Sequence, residues 1–531
     1  MKQPNILFIM SDDHAANAIS AYGSKVNKTP NIDRIGNEGM RFEHCYVTNS
    51  ICTPSRGAIL TGTHNHVNRV TTLYSKFDNK LPNVAKHLKT SGYQTAIVGK
   101  WHLGEGKAHE PSGFDYWSVV PGQGHYHNPI FIEEDGKRAE AGYVTDVTTD
   151  KCLDWLENRD ENKPFFLMCH HKAPHREWSP KPEHRNLYLE DFEEPESFND
   201  DYSNRAQAAI HAKMRISEDL TYADLDLVKL PEYERQALGF TERQKIPYPE
   251  SIEDLKKLKL RCALTGELHT FQTHEELKRF KYNRYIRKYV QTIHSVDENV
   301  GRMLDWLNEK GLAENTMVIY TSDQGFYLGE HGWFDKRFIY DESFQMPFLV
   351  KYPKEIKAGS VNTDMVCNVD FAPTWLDIAG ITIPTYMQGR SIRPLILNKT
   401  PEDWTKVAYH RYWMNNDETH EARAHYGIRT HKYKIIYWYY DDCGEIGANP
   451  DHLEPEWELF DLEKDPLELF NVYNDPAYKK IVDDMTKQLD SEMARIGDTP
   501  MHVKLPEQIT SNTPKNYSLR DNYQVRLSNT F

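Results

Sequence analysis

The chain has 531 residues, a length that calls for two or three domains rather than one small core. With 39% hydrophobic and 27% charged residues it has the composition of an ordinary globular protein, and no apolar run approaches the ~18 residues of a membrane-spanning helix. A net charge of −15 argues against general nucleic-acid binding and against attachment to an acidic membrane surface, so a polyanionic ligand would need local basic groups in a cleft.

Seven scattered cysteines without CxxC pairs suggest neither a disulfide framework nor a zinc site. The N-terminus leads straight into a strand with no signal peptide. The expectation is a cytoplasmic protein, or a periplasmic or secreted one if a leader has been removed.

Asn5 to Met10 (NILFIM) is a continuous apolar run, the pattern of a strand buried on both faces. It ends in Ser11-Asp12-Asp13-His14. Adjacent carboxylates at such a place repel each other unless a cation neutralises them, although a solvated loop acid beside a helix cap fits the same residues. Thr29 with Pro30 starts a helix. In Ile51 to Gly62 (ICTPSRGAILTG), Thr53 is a good N-cap, Pro54 suits the first helical position and Arg56 adds a fixed charge one turn in. A group on Cys52 then faces free N–H donors at the positive end of a helix, an anion site holding a nucleophile. A buried cysteine before an ordinary helix is the plainer reading of the same residues.

Leu81 to Thr90 reads as a helix, and Tyr93 to Val98 as a strand ending in Gly99-Lys100-Trp101-His102. Asp150 to Asn158 is helical, and Pro164 to Cys169 is a strand ending in His170-His171-Lys172-Ala173-Pro174-His175. Val290 to Asn308 carries one apolar stripe at helical spacing. Met317 to Thr321 is a strand ending in Ser322-Asp323-Gln324-Gly325, and Pro347 to Tyr352 is one more strand. This βα alternation predicts an α/β fold, a mostly parallel sheet sandwiched by helices. Four polar clusters, centred near residues 12, 100, 172 and 323, reach one rim at the carboxyl ends of the strands, where such sheets form their ligand crevice.

Residues 178–288, charged and rich in tyrosine, read as an insertion that shapes one wall of the crevice. After about residue 395, short aromatic and β-branched strands (407–413, 425–429, 433–439, 457–462) and a helix at 476–496 suggest a smaller C-terminal α+β domain, an antiparallel sheet plus a helix. The division is thus 1–395 and 396–531, the last ~30 residues forming an extended tail.

The string Cys52-x-Pro54-Ser55-Arg56-x-x-x-Leu60-Thr61-Gly62 resembles the signature of the type I sulfatases, whose motif cysteine is oxidised to formylglycine. The paired aspartates, Gly99 to Gly104 (GKWHLG), the Ala-Pro-His segment, Ser322 to Gly325 and Gly332-Trp-Phe-Asp-Lys336 extend the similarity over nearly the whole chain. The resemblance implies an alkaline-phosphatase-like fold and one divalent cation, usually Ca²⁺, on Asp12, Asp13, Asp323 and Gln324, a hard all-oxygen set. The family often has Asn or His where this chain has Gln324, and His14 falls outside the ligand set. It also implies a gem-diol at Cys52 that attacks the sulfur and then expels sulfate. Arg56 would hold the diol, and Lys100 and Lys336 would bind sulfate oxygens. His102 would serve in the collapse step, and His175 would protonate the leaving alcohol. A formylglycine-generating maturation enzyme is an implied partner.

The loops at Gly122 to Asn128 and Tyr409 to Trp413 mix aromatics with hydrogen-bonding groups, as a sugar pocket does, and make His125, His127, His410 and Arg411 candidate substrate contacts together with His171. The expected reaction is removal of sulfate from a sulfated saccharide, from glycosaminoglycan or algal polysaccharide. Aryl or choline sulfate hydrolysis, phosphonate monoester or phosphodiester hydrolysis on the same fold, and a non-catalytic saccharide-binding protein are the alternatives.

Overall fold

The structure, a computed structural model, describes residues 3–228 and 244–503. The C-terminal tail expected from the sequence lies outside the described residues. The centre is a ten-stranded sheet. Its strands in chain order are β1 (Asn5–Ser11), β2 (Met40–Phe42), β3 (Gln94–Lys100), β4 (Tyr116–Val120), β5 (Ile130–Glu133), β6 (Gly136–Ala139), β7 (Phe165–His170), β8 (Thr316–Ser322), β9 (Phe348–Lys351) and β10 (Ser360–Asn362). They lie in the order β10-β2-β9-β8-β1-β7-β3-β4-β5-β6. The five central strands, β8 to β4 in that order, are mutually parallel. Antiparallel pairings (β8 with β9, β9 with β2, β4 with β5, β5 with β6) occur only on the flanks.

β1 has no solvent-facing side because helices cover both faces. Ile6, Phe8 and Met10 join one core with α2 (Cys52–Thr61), α3 (Val84–Thr90) and α6 (Phe371–Ile378). Leu7 and Ile9 join the other with α1 (Pro30–Asn37), α4 (Val144–Glu157) and α5 (His274–Glu309). Alternate residues of one apolar run therefore feed two cores, which is why the run shows no polar period.

Register sets the site. Ser11 pairs with Ser322, Met10 with His170 and Gly99 with His170, so the segments beginning at Asp12, Lys100, His171 and Asp323 leave the sheet side by side. A Cβ at Gly99 would come within 1.9 Å of the His170 carbonyl oxygen, so only glycine lets β3 approach there.

Helix α5 begins at His274, sixteen residues before the apolar stripe that predicts it at Val290. The reassigned stretch lay inside the expected insertion 178–288. Its tyrosines hid it: Tyr282, Tyr285 and Tyr289 are buried, and Tyr282 meets Phe198 while Tyr285 meets Trp178 and Phe334. The C-terminal part holds an antiparallel sheet of β11 (Ala408–Tyr412), β12 (His425–Arg429), β13 (Tyr433–Trp438) and β14 (Glu456–Asp461), with α7 (Lys479–Ile496) on one face. Its other face, with Tyr412, Ile436, Trp438 and Phe460, merges into the main core beside Phe338 and Phe344.

Phe8 is fully buried, with ring centroids 4.9 Å from Trp375 and 6.2 Å from Phe371. Phe8→Ala is expected to lower unfolding stability by about 3–5 kcal/mol, measured by urea denaturation. A loss below ~1 kcal/mol would mean that this contact does not hold the sheet to α6.

Candidate active site

α2 brings Cys52 to the rim. Ile51 is extended and caps the helix, and the first intrahelical bond runs from the Ser55 N–H to the Ile51 carbonyl, 3.1 Å. The expectation that Thr53 is the N-cap is therefore corrected, since the Thr53 hydroxyl donates to the Leu73 carbonyl instead, at 3.2 Å. Pro54 sits in the first turn, where its missing N–H costs nothing. Cys52 is thus itself the first helical residue.

Asp12, Asp13, Cys52, Arg56, Lys100, Asp323 and Lys336 are all buried. The Cys52 Sγ lies 3.2 Å from Asp12 Oδ1 and 4.0 Å from Asp13 Oδ1. Arg56 donates to Asp323 Oδ2 through Nε at 3.1 Å and a terminal nitrogen at 2.8 Å, and to the Lys100 carbonyl at 2.7 Å. The Asp13 N–H donates to Asp323 Oδ1 at 3.1 Å, which ties the two acidic loops together. Lys100 Nζ rests on Asp12 and on the Gln123 side chain. Lys336 Nζ bridges both Asp13 oxygens at 2.6 and 2.7 Å.

The electrostatics follow from burial. Burial pushes the Cys52 thiol far up, Lys336 works against this, and Asp323 and Asp13 add to it, so the sulfur is a neutral thiol and a weak nucleophile. Burial raises Asp13 to about 6 against the pull of Lys336. Burial also opposes the charge on Asp323, but Arg56, Lys100 and Lys336 outweigh it and hold this carboxyl below the usual range. For Lys336, burial is outweighed by the Asp13 carboxylate, which it also hydrogen-bonds, and by Asp335, which keep the ammonium charged. Burial, reinforced by Lys100, Lys336 and Lys172, keeps His175 a neutral imidazole. Its Nδ1 faces the Arg176 carbonyl and its Nε2 lies 3.8 Å from Asp13.

A divalent cation fits this centre. Oxygens of Asp12, Asp13 and Asp323 lie within 4.8 Å of one another and of the Cys52 Sγ. Gln324 Oε1 is buried beside them with no hydrogen-bond partner among the described residues, an acceptor that a cation would satisfy. Lys100 and Lys336 neutralise the acids in its place, and both would be freed toward the cleft when the charge is supplied by an ion.

Above Cys52 opens a cleft of about 880 Å³ lined by His125, His127, His175 and Lys336 among others. His102, held in the left-handed region at φ 54°, lies 3.4 Å from the Thr53 hydroxyl and faces an adjoining cavity of about 460 Å³. Three expected substrate contacts lie elsewhere, and the expectation is corrected for each. His171 is fully buried, its Nε2 3.6 Å from the Cys169 sulfur. His410 is fully buried and accepts from the Ser50 N–H at 3.0 Å. Arg411 is spent on Asp498 at 2.7 Å and on the Trp413 ring. All three belong to strands or strand ends whose alternation turns them into packed layers.

The sequence reading missed the wall opposite. Asp335 meets His420 Nε2 at 3.3 Å, Arg176 at 3.6 Å and Arg337 Nε at 3.6 Å. Burial works against the Asp335 charge, but His420, Lys336 and Arg337 hold its carboxyl well below the ordinary range. Lys172, with its ammonium 4.7 Å from the centre of the Tyr126 ring, is lowered by burial to about 8. Lys172, Arg176 and Arg337 each stand within three residues of a motif residue, which was the available signal; His420 carries none.

A raised Asp13 favours the folded state at low pH, and this contribution is lost as pH rises through about 6 in the cation-free protein. A cation needs the ionised carboxylate and reverses the penalty. The rise in Tm on adding calcium chloride is therefore expected to be small near pH ~5 and to grow through pH ~7. An equal rise at both values would contradict this assignment of Asp13.

Comparison with known proteins places this geometry. The sulfatase family model matches residues 4–381, and a model described as the C-terminal part of N-sulphoglucosamine sulphohydrolase matches residues 329–495. The chain is 42% identical over 510 residues to an N-acetylglucosamine-6-O-sulfatase of Bacteroides thetaiotaomicron, covering 94% of this chain and 87% of that protein. A solved structure of a protein in complex with its substrate, D-glucosamine-2-N,6-O-disulfate, superimposes with a TM-score of 0.83 at 40% identity, covering 95% of this chain and all of that one. A phosphonate monoester hydrolase of Agrobacterium radiobacter, at 19% identity and a TM-score of 0.63, covers 93% of this chain and 96% of that one and shares the fold.

Proposed function

Since the chain belongs to the sulfatase family and is a sulfuric ester hydrolase, we propose that it removes the 6-O-sulfate of an N-acetylglucosamine-type saccharide, using a formylglycine made from Cys52 and a calcium ion held by Asp12, Asp13, Asp323 and Gln324. The observation that carries the reading is the Cys52 side chain at the cleft floor, set between three carboxylates and two lysine ammoniums. The likeness to a relative named N-acetylglucosamine-6-O-sulfatase, and to a structure bound to a glucosamine that carries a 6-O-sulfate, supports the choice of sugar and position.

When present, the cation and the hydrated aldehyde supply an acidified hydroxyl in place of the inert thiol. The remaining work falls to side chains of the chain. Arg56 fixes Asp323 through two hydrogen bonds and so fixes the orientation of the ligand set. Lys100 and Lys336, released from Asp12 and Asp13, bind the sulfate oxygens and stabilise charge that grows in the transition state. Burial is the main cause of the neutral His175 and the lysine charges the lesser one; the sulfate anion offsets the lysine part and so favours the protonated imidazole, which delivers its proton from Nε2 to the leaving sugar oxygen. His102 orients the nucleophile. Asp335, Arg337 and His420 offer both charge signs to sugar hydroxyls along the opposite wall.

Cys52 is fully buried, so a maturation enzyme has to meet it before the chain folds. Matured protein is expected to release sulfate from N-acetylglucosamine 6-sulfate with kcat/KM at least about 10²-fold above that for an aryl phosphodiester. The reverse preference would move the assignment to phosphoryl-ester hydrolysis. Lys336→Ala should lower kcat by about 10²–10³-fold at saturating substrate. A change confined to KM would reduce Lys336 to ground-state binding.

A further inference from the structure

A second group of metal-ligating side chains lies outside the cleft, where α5 meets the short helical turn Pro182–His184. His294 and Glu298 are one turn apart on α5 and project from the same face. Across from them, His184 places its Nε2 3.3 Å from Glu298 Oε2, and His294 Nε2 lies 3.7 Å from Glu298 Oε1. One ligand atom from each of the three residues falls within 4.8 Å of the others. Ligands of a tetrahedral zinc ion at ~2.0–2.1 Å stand about 3.4 Å apart, so the two histidine–glutamate distances already lie near that value and the full set needs at most about 1.4 Å of closure.

The surroundings orient the ligands as a metal requires. His184 Nδ1 is hydrogen-bonded to the Ser295 hydroxyl at 3.0 Å, and His294 Nδ1 faces the Tyr188 hydroxyl at 3.4 Å. These contacts turn each Nε2 toward Glu298. The two rings meet edge to face, 4.7 Å between centroids. His184 is buried while His294 and Glu298 are partly open, with side-chain exposures of 34% and 44%, which leaves a coordination position for water. Lys181 is the competing charge. Its Nζ lies 3.4 Å from Glu298 Oε2 but is held closer by Asp146, at 2.8 Å, and can keep that partner when Glu298 turns to an ion.

We infer that His184, His294 and Glu298 form a binding site for zinc or a chemically similar divalent transition metal, which fastens the first part of the 178–273 segment to α5. Two imidazoles and one carboxylate are a donor set for such an ion rather than for calcium. The site is separate from the catalytic centre and does not depend on the reading of its substrate.

The test uses the full chain, stripped with chelator, reloaded with calcium and equilibrated with zinc chloride. Bound zinc is then counted by elemental mass spectrometry for the unaltered protein, His294→Ala and Glu298→Gln. The unaltered protein is expected to hold one zinc equivalent more than either variant, and only its Tm should rise on adding zinc. All three should hydrolyse substrate equally when zinc is absent, which shows that the variants are folded. Equal zinc content and an equal thermal response in the three proteins would overturn the inference.

Discussion

Everything in this molecule depends on keeping three carboxylates buried and close together. Asp12 and Asp13 leave β1, and Asp323 leaves β8, because the parallel register sets Ser11 beside Ser322. Like charges at this distance, without water, would drive the strands apart or stay protonated. Three basic side chains answer them, Arg56 on Asp323, Lys100 on Asp12 and Lys336 on Asp13, although burial drives the Lys100 amine well below its ordinary range. The balance remains imperfect. Asp13 keeps a raised proton affinity and the Gln324 carbonyl has no partner among the described residues, and both defects are of the kind that a bound divalent cation removes.

The rest of the fold can be read as support for that cluster. The apolar run of β1 feeds two cores and fixes the height of Asp12 above the sheet. Helix α5, through Tyr289, donates a hydrogen bond to the Asp13 carbonyl at 2.7 Å and accepts one from the Ala15 N–H at 2.9 Å, so a helix remote in sequence clamps the acidic loop. The C-terminal sheet adds packing through β11 and β13, and its neighbouring loop brings His420 to the cleft. Catalytic charge therefore rests on three separately packed layers. Such placement keeps the charged groups from relaxing toward water and holds them poised for the reaction.

The strand ends and their polar clusters were legible in the sequence because both follow local rules: an apolar run, then charges. The cysteine motif and its flanking residues were legible for the same reason. What escaped was set by tertiary context. Helix α5 begins well before its aliphatic stripe, and tyrosines, which read as polar, make up much of the buried face of that first part. Thr53 looks like a cap, yet Leu73 takes its hydroxyl. His410 and Arg411 read as pocket residues but are consumed by Ser50 and Asp498, partners 360 and 87 residues away. Asp335 was hidden in plain view beside Lys336, since only the fold shows that Arg176, Arg337 and His420 converge on it.

The central claim is that turnover comes from a group made out of Cys52 and not from its thiol, which burial holds neutral. The most direct measurement is mass spectrometry of the peptide containing Cys52 from protein preparations of graded activity, alongside sulfate release from N-acetylglucosamine 6-sulfate. The account predicts that activity scales with the fraction of peptide carrying the lighter aldehyde form and vanishes in Cys52→Ala. Full activity from a preparation in which the peptide retains the thiol mass would contradict it.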